Sequence, residues 1–241
     1  MSLKDTLTEK LTSLSKAEFN YIETSEINKA AEIDLNCSGI YMEATVIYFE
    51  IKNLSYFLKE NGRRKVAQIY TMYREVLATI AKQSGAFVNC FSPEAFLVIY
   101  PGKEEDFDKV ARSAMKIANA LSSTFKEQFS VITGIEFAMG IDHGHIMGTK
   151  NQSDHGVEQM TWFGTCIYKA KAICKECARP YYVGISSVIY HNLGEDLRFK
   201  QRRILGIPKK VEIWNKVSYQ SENTKKHLYQ TSNKLELDDT Q

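Results

Sequence analysis

An α+β fold, a mixed β-sheet covered by helices, follows from three features of this sequence. Residues 44–51 (ATVIYFEI) are apolar on both faces and rich in β-branched and aromatic side chains, as a central strand requires. Helical periodicity over residues 63–84 and 104–125 brackets a pair of short strands, so helices interleave with hairpins and crossovers. The 241 residues are 44% hydrophobic and 25% charged, which supplies a core and argues against wholesale disorder.

The elements read as follows. Residues 2–17 form a helix with Leu3, Leu7, Leu11 and Leu14 on one face. A looser stretch through Cys37, Ser38 and Gly39 leads to the strand at 44–51, which carries Glu50 near its end. Gly62 ends a short helix and precedes a longer one, whose stripe is Val66, Ile69, Tyr70, Tyr73, Leu77 and Ile80 and whose C-cap signal is Gly85. Strands at 86–91 and 95–100 turn about Ser92-Pro93-Glu94, and Pro101-Gly102 stops the second. The next helix, 104–125, runs through Phe107, Val110, Ala114, Ile117 and Leu121. Residues 135–141 and 145–150 read as a hairpin about Asp142-His143-Gly144, and 151–159 as a polar loop. A helix at 164–177 closes at Arg179-Pro180, followed by a strand at 181–185, a short helix at 187–193 and a last hairpin of 197–203 with 210–217. From Ser218 the chain is polar without an apolar stripe. The expected organisation is a helical extension over 1–40, one domain over 41–217 and a disordered tail over 218–241.

Thirty-one Lys and Arg against 29 Asp and Glu leave a net charge of +2, which removes the electrostatic argument for a nucleic-acid or membrane-surface partner. No apolar run approaches the ~18 residues of a membrane span, and the first 19 residues lack an apolar signal-peptide core. Five cysteines without disulfide spacing fit a reducing compartment. The expectation is a cytoplasmic protein.

Among chemistry-bearing residues, Glu50 at the end of an apolar strand stands out, although taken alone an edge carboxylate paired with a Lys or Arg is the commoner explanation. Glu94 alone is a solvated turn residue; only its placement on a neighbouring strand end makes the two acids a candidate pair. Cys174 and Cys177 form a CxxC inside a helix, without the second pair a zinc site needs, and read as two reduced cysteines. His143, His145 and His155 read as surface histidines. Lys200, Arg202, Arg203, Lys209 and Lys210 surround the last hairpin as a solvated basic face.

Five strings in order, spread between residues 44 and 214, resemble the class III nucleotidyl cyclase homology domain, whose sheet is ferredoxin-like. Tyr48-Phe49-Glu50-Ile51-Lys52-Asn53-Leu54-Ser55 is similar to that family's first strand, which ends in a metal-binding Asp. Ser92-Pro93-Glu94-Ala95-Phe96-Leu97 resembles the hairpin whose Gly-Asp tip carries the second. Met139-Gly140-Ile141-Asp142-His143-Gly144 looks like its Gly-Ile-x-x-Gly signature, and Thr161 to Ala170 like its Gly-x-x-Val-Asn-x-Ala segment. Leu205-Gly206-Ile207-Pro208 resembles the turn before the last strand.

The resemblance implies Mg2+ or Mn2+ held weakly at Glu50, Ile51 and Glu94, and no organic cofactor. It implies a nucleoside triphosphate against Asn53, Leu54, Ser55, Cys90, Thr161 and Leu205. It also implies a head-to-tail homodimer, or a heterodimer with another cyclase-like chain. The departures are heavy. Both metal-binding Asp positions hold Glu, whose extra methylene moves the carboxylate by more than ~1 Å, and magnesium tolerates such displacement poorly. The base-reading Lys position is Cys90, the catalytic Asn position Tyr168, the catalytic Arg position Ala172 and the phosphate Lys position Leu205. Each lost member of such a charge clamp typically costs several kcal/mol of barrier. The expected function is therefore a degenerate pseudo-cyclase of cyclic-nucleotide signalling, a nucleotide sensor or dimer partner. The alternative is a divergent active enzyme that converts a nucleoside triphosphate to a 3′,5′-cyclic nucleotide and pyrophosphate, such as a cyclic pyrimidine nucleotide in phage defence.

Overall fold

The computed structural model describes residues 2–26, 33, 38–92, 94–102, 107–124, 126, 134–152, 158–204, 207–221 and 224–237. Its elements are α1 (Leu3–Lys16), β1 (Asn20–Glu23), β2 (Ser38–Ile51), α2 (Leu54–Gln83), β3 (Phe87–Ser92), β4 (Ala95–Pro101), α3 (Phe107–Asn119), β5 (Phe137–Gln152), β6 (Glu158–Phe163), α4 (Thr165–Glu176), β7 (Val183–Ser186), α5 (Ser187–Asn192), α6 (Glu195–Arg198), β8 (Phe199–Ile204), β9 (Ile207–Glu212), β10 (Asn215–Ser221) and β11 (Thr224–Thr231). They fall into two compact units, residues 1–42 with 145–164, and residues 43–144 with 165–241.

In the larger unit, the succession β2-α2-β3-β4-α3-β5 is laid out as β5-β2-β4-β3, with β2–β4 and β4–β3 antiparallel. This is the split β-α-β arrangement of ferredoxin-like sheets, as expected. β7 extends it parallel to β5, followed by β11 and β10. Strand alternation sorts the side chains. Ile47, Phe49 and Ile51 of β2, Met139 and Ile141 of β5 and Val183 and Ile185 of β7 join the core with the apolar faces of α2 and α3. The intervening residues face α4. Gly140 shows how closely that helix lies: a Cβ there would stand 1.9 Å from the Ala170 carbonyl oxygen and 2.4 Å from the Cys174 nitrogen. Its register partner Gly184 has the same task, with the Cys177 sulfur 2.4 Å from a Cβ it lacks. α2 breaks at Gly62, whose φ of 73° and ψ of 162° leave the helix, as the sequence indicates.

In the smaller unit, β1 pairs parallel with the start of β2, and β6 antiparallel with the end of β5, Met147 opposite Phe163. α1 opens on a capping box between Ser2 and Asp5, and none of its residues is buried.

Three expectations need correction. The hairpin at Asp142-His143-Gly144 is instead one continuous strand, β5. The polar dipeptide stays in the sheet because both side chains are buried, and His143 has partners: Nδ1 lies 3.0 Å from Thr45 Oγ1 and Nε2 3.1 Å from Glu43 Oε1. The stretch 151–159 is not wholly loop, since β6 begins at Glu158. The segment 218–241 is not a disordered tail through its described part. β10 and β11 form a hairpin, β11 pairs with β7 and buries Leu228 and Tyr229, and Leu235 donates its N–H to the Met115 carbonyl. The break falls earlier, at Trp214, which is buried and donates its indole N–H to the Leu197 carbonyl at 2.7 Å. β8 and β9 stand apart as a two-stranded sheet.

Candidate functional site

β2 ends beside the β3–β4 hairpin: Glu50 lies opposite Ala95, and the Ile51 N–H donates to the Glu94 carbonyl at 2.8 Å. The two glutamates therefore sit on adjacent strand ends, as the sequence requires. Both bear on the Tyr48 hydroxyl, whose pKa is pushed up to about 12 by burial first and then by the negative charge of neighbours that include Glu50 and Glu94. Glu94 is exposed; Pro93 beside it lies outside the described residues. Glu50 is not free. Its Oε2 lies 3.6 Å from Lys52 Nζ, both side chains being about one-fifth exposed, and 4.0 Å from the Cys174 sulfur.

The chain then turns sharply into α2. The Lys52 N–H donates to the Glu136 carbonyl at 2.8 Å. Asn53 donates its side-chain N–H to the Gly134 carbonyl at 2.8 Å, and its Oδ1 accepts from the Glu136 N–H at 2.9 Å. Because Asn53 is turned toward the start of β5, its side chain does not cap α2. Leu54 is buried in the core, while Ser55 is exposed.

On the face of the sheet that Glu50 shares, Tyr48 packs edge-on against Phe91 at 5.5 Å, and Lys171 of α4 lies 5.8 Å from the Tyr48 ring and 6.0 Å from that of Phe91. Cys90 goes elsewhere. Its sulfur meets the Tyr70 hydroxyl of α2 at 2.9 Å, and Tyr70 packs on Phe96 at 4.8 Å, on the core side. Tyr168 and Ala172 are one helical turn apart on α4, outside its buried stripe; Tyr168 is 63% exposed and Ala172 half-buried. Thr161 belongs to β6 of the smaller unit, opposite Thr149. Leu205 lies outside the described residues, as does His155. His143 is buried, which corrects its reading as a surface residue, whereas His145 is exposed against the Tyr41 ring at 5.2 Å. Lys200, Arg202, Arg203, Lys209 and Lys210 are exposed on β8–β9, with Arg202 directly opposite Lys209.

The sequence points to neither Lys52 nor Cys174 for this site; Lys171 flanks the position of the lost Arg and could replace it only through a slip of helix register. Lys52 was within reach of alternation, two residues beyond Glu50; the approach of α4 leaves no local signal. Cys174 and Cys177 are free, buried thiols pushed up to about 12, mainly by burial. Asp142, also beneath α4, is 3% exposed, and burial raises its pKa against the opposing pull of Ser186 and of Lys169, whose Nζ is 4.0 Å away.

Glu50 and Glu94 could supply the one or two carboxylates that a magnesium ion takes from protein, but Glu50 is shared with a lysine. Among the described residues no group of three or more His, Cys, Asp or Glu converges, and an ammonium already faces Glu50.

No protein-family model matches this sequence, and no curated protein does. Solved structures do. The guanylyl cyclase Cya2 superposes with a TM-score of 0.64 at 14% identity, over 83% of this chain and 97% of that one. The guanylate cyclase domain of RhGC from Catenaria anguillulae, in complex with GTP, gives 0.62 at 14% identity, over 81% and 99%. The chain has the class III nucleotidyl cyclase fold. A class III adenylyl cyclase-like ATP-binding protein from Pseudomonas aeruginosa shares this cyclase fold at a TM-score of 0.60 and 15% identity, over 79% of this chain and 43% of that one. No helix among the described residues is long and apolar enough to cross a membrane.

Proposed function

We propose that this protein is a nucleotidyl-cyclase-like member of a cyclic-nucleotide signalling system that binds a nucleoside triphosphate and turns it over very slowly or not at all. It would serve as a nucleotide sensor or as the non-catalytic partner in a dimer. The observation that carries this reading lies on α4, outside its buried stripe. The positions where the resemblance implies an Asn and an Arg hold Tyr168, 63% exposed, and Ala172, half-buried, so they offer a phenol and a methyl to a partner's nucleotide. Closing the ribose ring needs an activated 3′-hydroxyl, a neutralised triphosphate and an in-line leaving group. Neither residue supplies a cation for the second requirement. Any Mg2+ or Mn2+ is held weakly, since Glu50 is already paired. The Pseudomonas neighbour described as an ATP-binding protein is a precedent for nucleotide binding on this fold.

Incubation with each of four labelled nucleoside triphosphates, with magnesium or manganese, followed by chromatography, tests this. The expected result is retention of nucleotide in equilibrium dialysis without a cyclic product. Robust cyclic-nucleotide formation that disappears in Glu50→Ala would overturn it in favour of a divergent active enzyme. Glu50→Asp with Glu94→Asp should improve metal binding with little gain in turnover, and Tyr168→Asn, Ala172→Arg and Leu205→Lys added to them should gain more.

A further inference from the structure

We infer that Lys52 is a tethered cation that competes with a divalent ion for Glu50, so that metal occupancy of this strand end requires the ammonium to leave. The inference takes from the reading above only the place a metal would occupy.

Two observations carry it. The first is the contact itself: Lys52 Nζ is 3.6 Å from Glu50 Oε2, with both side chains about four-fifths buried, so water screens the pair less than at an open surface. The second is how the lysine is held. Its backbone N–H is bonded to the Glu136 carbonyl, and the next residue, Asn53, clamps Gly134 and Glu136 with both ends of its amide. The turn that presents the ammonium to Glu50 is thus fixed at two successive residues.

A divalent ion takes carboxylate oxygens directly into its first coordination sphere. At Glu50 it would meet a fixed positive charge where it needs an unshared carboxylate. Glu94, exposed on the neighbouring strand end, offers one further carboxylate. Displacing Lys52 would separate an established ion pair and force the ammonium outward, and this cost is subtracted from metal affinity. The longer arm of Glu relative to Asp acts in the same direction, because it lets the carboxylate reach back to the lysine.

The test is Mn2+ binding to the full chain, read from the electron paramagnetic resonance of free manganese and made without nucleotide. Lys52→Met should bind Mn2+ roughly tenfold more tightly than the unaltered protein, which corresponds to one partly buried ion pair. Glu50→Gln added to Lys52→Met should abolish the gain. Circular dichroism melting confirms folding, and Lys52→Gln replaces Lys52→Met should the latter not fold. Equal Mn2+ affinity in the Lys52 variant and the unaltered protein, or a gain that survives Glu50→Gln, would overturn the inference. Nucleotide retention measured in excess chelator separates the two ideas: its absence counts against the functional reading alone, whatever manganese does.

Discussion

Gly140 has no room for a side chain, and what stands in the way is backbone. Its missing Cβ would sit 1.9 Å from the Ala170 carbonyl oxygen, so Gly140→Ala must push α4 away from β5. The expected cost is at least about 2–3 kcal/mol, at the upper end for overpacked positions, read from urea denaturation. Gly184→Ala should cost less, because the atoms it meets are the Cys177 sulfur and an Ile173 methyl, which can turn aside. Tyr168→Ala, at a side chain 63% exposed, should stay within about 0.5 kcal/mol of the unaltered protein. Single residues were unevenly legible in the sequence. Glu50 was conspicuous because a charge interrupts an apolar run, and the geometry agrees with the modest reading of it, a carboxylate paired with a lysine. Cys90 was placed by motif alone, and motif carries no information about which side of an edge strand a residue faces.

At the scale of elements, β11 is the instructive case. Its sequence, TKKHLYQT, starts with exposed cations, and only its second half is buried, between β7 and β10. A half-polar strand of this kind leaves no period for sequence reasoning to detect. Burial of Leu228 and Tyr229 nevertheless makes it part of the core sheet. A chain ending at Val217 would expose the free edge of β7 and should fail to give a cooperative thermal transition. Leu228→Ala in the whole chain should cost about 2–4 kcal/mol, measured by the same melt. β2, by contrast, was legible over residues 44–51, since a strand covered on both faces is largely apolar; its start at Ser38, read as a looser stretch, was not. β5 misled because Asp-His-Gly is turn chemistry in isolation; here Thr45 and Glu43 satisfy His143 inside the sheet.

For the whole molecule, the order of helices and strands sufficed for a mixed α+β sheet, while the split β-α-β arrangement was legible only through the family resemblance, because element order alone does not fix which strands pair. Assembly did not follow from the sequence, since it depends on surface shape. The proposed head-to-tail dimer would bring Tyr168 of α4 opposite the partner's Glu50. Sedimentation velocity should show a dimer at high micromolar concentration that Tyr168→Arg weakens; a monomer throughout that range would count against the assembly.

The paired glycines carry a broader implication. α4 is seated on the sheet along one side, by its main chain at Gly140 and by the side chains of Ile173 and of Cys177 just beyond it at Gly184, while Tyr168 lies on the other. One side of this helix is held by the sheet and the other is free of it, so substitutions on the outward side can accumulate without disturbing how the helix is seated.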